Sequence, residues 1–134
     1  MYLSTLSEEE KELFLNIAYI IANSDGNYSS DEKNMISGYC REMQMEVENW
    51  HIDESMEAIA DRLQQISGLR TKKIIVFEAV GLAMVDGNYD KNEQEIISGL
   101  RKKLGLEVGF LSDCEAVLQE YIELQTKINR MILE

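Results

Sequence analysis

A chain of 134 residues with 45% hydrophobic content and no proline has the length and apolar share of a single helical domain with its own core. Its net charge of −12 disfavours a nucleic-acid backbone, which is held by clustered Lys and Arg, and equally an anionic membrane surface. Two cysteines, Cys40 and Cys114, each within an apolar helical pattern, read as buried thiols rather than a disulfide framework.

The first helix opens at Ser7, with Glu10 three residues on, the spacing of a capping box. Glu8 to Glu10 stand where a secretory leader would be basic, so no signal peptide is expected. No apolar run reaches membrane-spanning length, and the cytoplasm is the expected compartment. Leu13 to Ala22 is apolar nearly all round, as in a helix enclosed by others. It ends at Asp25-Gly26, where Gly26 suits the left-handed position after a helix.

A second helix begins at Ser29 or Ser30, with Glu32 as the N3 partner of Ser29, and carries Met35, Ile36, Tyr39, Cys40 and Met43 at helical spacing. Residues 45–51 have no clean period and read as a connection. A third helix fits Asp53 to Ile66 with Asp53 as N-cap, broken by Ser67-Gly68. Lys72 to Val85 contains the β-prone run Ile74-Ile75-Val76-Phe77, yet its alignment with the first helix makes it a fourth. Asp90 caps a fifth, with Glu93 at N3. Arg101, Lys102 and Lys103 close it before Gly105. Ser112 and Glu115 have the spacing of another capping box. The last helix carries Cys114, Val117, Leu118, Tyr121, Ile122, Ile128 and Ile132 on one stripe.

The organising feature is a repeat. Residues 25–38 return as 86–99, an offset of 61, with eight of fourteen positions identical. The expected fold is therefore all-α: a compact bundle of six to seven helices in two pseudo-symmetric halves, about 8–45 and 69–106, within one domain over 1–134. Gly38 and Gly99 occupy equivalent places inside helices, where glycine costs about 1 kcal/mol against alanine. Close helix approach at both is the expectation.

The repeated Asp-Gly-Asn-Tyr followed by Glu matches the second half of a calcium-binding EF-hand loop. Its first half fails, because the leading positions would be Ile21 and Asn23 in one copy and Leu82 and Met84 in the other. The residues resemble another family, the TerB-like domain of tellurite-resistance proteins, also found in the DjlA co-chaperone. Its signature is an apolar helix ending in Ala-x-x-Asp-Gly, then a Glu that opens the next helix. Ala22 to Gly26 with Glu32, and Ala83 to Gly87 with Glu93, fit it in both halves, and the resemblance covers nearly the whole chain. It implies an all-helical fold whose acidic loop residues bind divalent metal. Tyr28 and Tyr89 are larger than the aliphatic residue usual in that family.

The candidate metal ligands are thus Asp25, Glu32, Asp86 and Glu93. Capping alone explains the two glutamates. The aspartates fall at helix C-termini, where the macrodipole disfavours negative charge. Either bonds to the following turn or a hard cation, calcium first, would offset that. The expected function is a non-enzymatic acidic module with a weak divalent site in each half and a role in a stress response. The alternative is a pure interaction domain, adaptor or co-chaperone-like, whose loops are only caps. A metal-dependent hydrolase is disfavoured because no acid–base partner accompanies the carboxylates. His51 is the single histidine, so a histidine-based zinc site is not available. Direct capture of tellurite is disfavoured by charge. A protein partner is expected.

Overall fold

The computed structural model describes residues 1–24, 26, 28–46 and 54–134. A 3-10 turn at Leu3–Thr5 leads into six helices: α1 (Glu8–Ala22), α2 (Ser30–Met43), α3 (Met56–Ile66), α4 (Leu69–Met84), α5 (Lys91–Lys103) and α6 (Val108–Leu133). No strand occurs among the described residues. The β-branched run Ile74 to Phe77 lies inside α4, where Ile75 and Val76 are fully buried. Tertiary burial overrides its strand propensity there.

Three of the expected capping boxes form, Ser7 with Glu10, Ser29 with Glu32 and Asp90 with Glu93. Two expected starts are corrected. α3 is capped by Ser55, whose hydroxyl accepts from the Ala58 N–H at 3.1 Å; Asp53, with Trp50 and His51, lies outside the described residues. Ser112 caps nothing, because α6 has already begun at Val108 and the Ser112 hydroxyl bonds back to the Val108 carbonyl. The reason lies in the preceding turn. Gly105 takes φ +71°, and the Leu106 N–H closes onto the Arg101 carbonyl at 3.1 Å. The buried Arg101 guanidinium then holds the Leu106 carbonyl at 2.7 Å. The chain is ready to restart a helix two residues later.

α1 and α4 form the central pair, as their all-round apolar sequences require. α1 also packs on α2 and α3, and α4 on α2, α5 and α6. Phe14, Leu15, Ile17 and Ala18 of α1 are fully enclosed, as are Ile75, Ala79, Val80 and Leu82 of α4. Tyr39 of α2 packs edge-on against Phe14, with centroids 5.3 Å apart, and donates to the Glu78 carbonyl at 3.1 Å. Glu10 ties α1 to the α3–α4 junction, accepting from the Ser67 hydroxyl at 2.7 Å while completing its capping box.

Gly38 and Gly99 do not mediate close helix approach. A Cβ at Gly99 would meet nothing within 4 Å, and one at Gly38 only the flexible end of Arg41 at 3.8 Å. Both lie toward the outer faces of α2 and α5, the wrong side for packing on the central pair. The stripe expected on α6 is also shorter than the sequence implies: Cys114 and Leu118 are buried, while Val117, Tyr121, Ile128 and Ile132 are exposed.

Candidate functional site

Each Asp-Gly loop joins a central helix to an outer one by the same local chemistry. α1 and α4 run out at Ala22 and Met84, and a turn follows in each, closed by Gly26 N–H on the Asn23 carbonyl and Gly87 N–H on the Met84 carbonyl, both at 3.1 Å. Gly26 and Gly87 take φ +74° and +76°, a left-handed conformation in which a side chain would be strained. Tyr28 and Tyr89 follow, each partly buried against the core; Tyr28 also packs on Tyr19 with centroids 6.1 Å apart. The larger ring is thus accommodated at both loops.

The glutamates close each loop onto its helix. Glu32 accepts from the Ser29 N–H at 3.1 Å and Glu93 from the Asp90 N–H at 3.2 Å. The return bonds come from the Glu32 N–H to the Ser29 hydroxyl and from the Glu93 N–H to Asp90. Capping alone would leave such glutamates at the surface, yet these are only 4% and 3% exposed. Burial pushes the Glu93 carboxyl up to about 7; the bond from Asp90 opposes this, while the charges of Asp90, Glu32 and Asp86 add to it. The fold therefore brings Glu32 of the first copy, and Asp86 of the second, within electrostatic reach of Glu93.

Asp86 has a structural employment of its own. It is exposed, beyond the end of α4, and its carboxylate accepts from the Asn88 N–H at 2.9 Å, an Asx turn that shapes the loop. Asp25, the equivalent residue of the first copy, lies outside the described residues. Among the described residues, no three His, Cys, Asp or Glu side chains are grouped so as to hold a metal ion. Both cysteines are buried and free, and burial raises each thiol above its ordinary pKa, so neither is an activated nucleophile.

A second polar feature escapes sequence reading. Glu78, mid-helix in α4 and 5% exposed, accepts from the Met1 amine at 2.5 Å and from the Tyr2 N–H at 3.3 Å. Glu42 of α2 reaches the same amine at 3.3 Å and the Leu3 N–H at 2.7 Å. Burial works against the charged amine, but these two carboxylates outweigh it and raise its pKa. Glu78 and Met1 line a cleft of about 400 Å³ between α2, α4 and α6, together with Met35, Phe77, Leu118 and Tyr121 among others. The only sequence signal was a glutamate on the apolar face of α4, seven residues before Val85.

No protein-family model matches the chain, and neither does any curated protein sequence. Its structure is similar to the crystal structure of a tellurite resistance protein from Nostoc punctiforme, with a TM-score of 0.70 and 20% sequence identity over 96% of this chain and 84% of that one. The resemblance to TerB-like proteins read from the two Asp-Gly loops therefore holds at the level of the fold: this chain has the all-helical architecture of a tellurite resistance protein.

Proposed function

We propose that the protein is a non-enzymatic, acidic, cytoplasmic module that binds a divalent cation weakly, calcium first, through Asp25, Glu32, Asp86 and Glu93 of its paired loops. The observation that carries this reading is the burial of Glu32 and Glu93, with Glu93 in electrostatic reach of both Glu32 and Asp86. A hard cation relieves such crowding, because carboxylate oxygens are its preferred ligands and its charge returns Glu93 to the ionised form. One oxygen of each glutamate is engaged in capping, which limits the ligand number and keeps affinity in the roughly millimolar range of sparse calcium sites. The tellurite resistance assigned to the Nostoc punctiforme protein suggests a stress-related role. For an acidic chain that role is indirect, since an oxyanion meets net repulsion.

Calorimetry on chelator-stripped protein tests the reading. A weak saturable heat, a raised melting temperature and proton release near neutral pH are expected, all lost when Asp86→Asn is combined with Glu93→Gln. No heat and no melting shift at millimolar calcium would sink it.

A second reading, an adaptor or co-chaperone-like domain with purely structural loops, is favoured by two observations. Glu32, Glu93 and Asp86 each have a capping or turn role, and the C-terminal half of α6 presents apolar side chains to solvent.

A further inference from the structure

α6 carries two apolar stripes that point in different directions. One, through Leu111, Cys114, Leu118 and Ile122, packs against the bundle. The other consists of Val117, Tyr121, Leu124, Ile128 and Met131, spaced alternately four and three residues apart, the a/d repeat of a coiled coil. These five are between 43% and 80% exposed. From Gln119 onward every residue except Ile122 is exposed, although Tyr121, Gln125, Thr126 and Asn129 still line the cleft that α6 forms with α2 and α4. Ile132 and Leu133, at the end of the helix but off this stripe, are exposed as well.

We propose that this face is a dimer interface, on which α6 of a second copy of the chain packs antiparallel. The charges beside the seam choose both the orientation and the register. The positions preceding the a residues Tyr121 and Ile128 are Glu120 and Lys127, with Asp113 and Glu134 one heptad further out on either side, and in an antiparallel pair these face one another across the seam. With Tyr121 opposite Leu124 of the second copy, and Val117 opposite its Ile128, Glu120 faces Lys127. The two-fold axis repeats that ion pair on the other side. The outer pair, Asp113 and Glu134, falls beyond these four layers.

Sliding the helices to the next register in one direction sets Lys127 against Lys127, and in the other Glu120 against Glu120. Both carry like-charge contacts inside the seam. In a parallel pair Glu120 would face Gln125 and Lys127 would face Ile132, with no ion pair at all. The net charge of −12 on each copy opposes association at long range, so physiological salt favours the dimer by screening that repulsion. Cation binding at the Asp-Gly loops has no part in this contact.

Sedimentation of the full chain from micromolar to millimolar concentration tests the proposal. A reversible monomer–dimer equilibrium is expected, and Leu124→Glu with Ile128→Glu should leave a monomer of unchanged helicity and melting behaviour. Glu120→Lys alone and Lys127→Glu alone should each weaken the dimer about tenfold. Combining them should restore it, because the swap rebuilds both ion pairs. A chain that stays monomeric throughout overturns the proposal and leaves the face to a different partner. So does a dimer indifferent to the Leu124 and Ile128 changes, or one that the charge swap fails to rescue.

Discussion

Glu93 is the residue at which local and tertiary demands diverge. Locally it is an N3 glutamate satisfying the Asp90 N–H; in the folded chain it is buried among other carboxylates and its pKa stands at about 7, against an ordinary 4.5. A carboxyl raised in this way favours the folded state while protonated. Its contribution is complete below about pH 4.5 and is lost as pH rises through 7, a span on the order of 3 kcal/mol. Glutamine keeps the accepting oxygen of a capping box without the charge. Glu93→Gln should therefore raise the melting temperature at about pH 8 and change it little at about pH 4, as thermal melts at both would read. An equal effect at both would mean that the substitution acts through packing.

At the scale of elements, the glycines divide into those a helix tolerates and those a turn requires. Gly38 and Gly99 lie in α2 and α5 with room for a methyl group, so alanine at either should stabilise by about 0.5–1 kcal/mol through helix propensity. Gly87, at φ +76° between α4 and α5, has equal space but the wrong backbone for a side chain, and Gly87→Ala should cost about 1–2 kcal/mol. Chemical denaturation of the three variants checks the opposite signs. The caps were legible because their chemistry is local: Ser29 with Glu32 and Asp90 with Glu93 need only three residues of chain. The early start of α6 was not, since it depends on a buried Arg101 holding the Leu106 carbonyl.

For the whole molecule, stability rests on α1 and α4 at the centre of the bundle. Phe14 is fully buried and packs edge-on against Tyr39, which in turn bonds α4 through the Glu78 carbonyl. Phe14→Ala removes contacts to several helices at once and should cost about 3–5 kcal/mol, read from urea or thermal unfolding. The same centrality places the two loops. Because α1 and α4 pack on each other, the turns that end them carry Glu32 and Glu93 into one electrostatic neighbourhood although 61 residues separate them.

The sequence by itself determined the helices, most of their caps and the doubled loop, because periodicity, N-cap chemistry and left-handed glycines act over a few residues. It also pointed to the α1–α4 pair, since only an enclosed helix is apolar on every side. Tertiary structure alone decided which carboxylates meet, because burial and charge proximity depend on how helices far apart in the chain pack. It placed Glu78 beside the Met1 amine, turned Gly38 and Gly99 outward, and left half of the α6 stripe in solvent. Helical spacing marks an apolar face, but only packing shows whether this chain has anything to cover it.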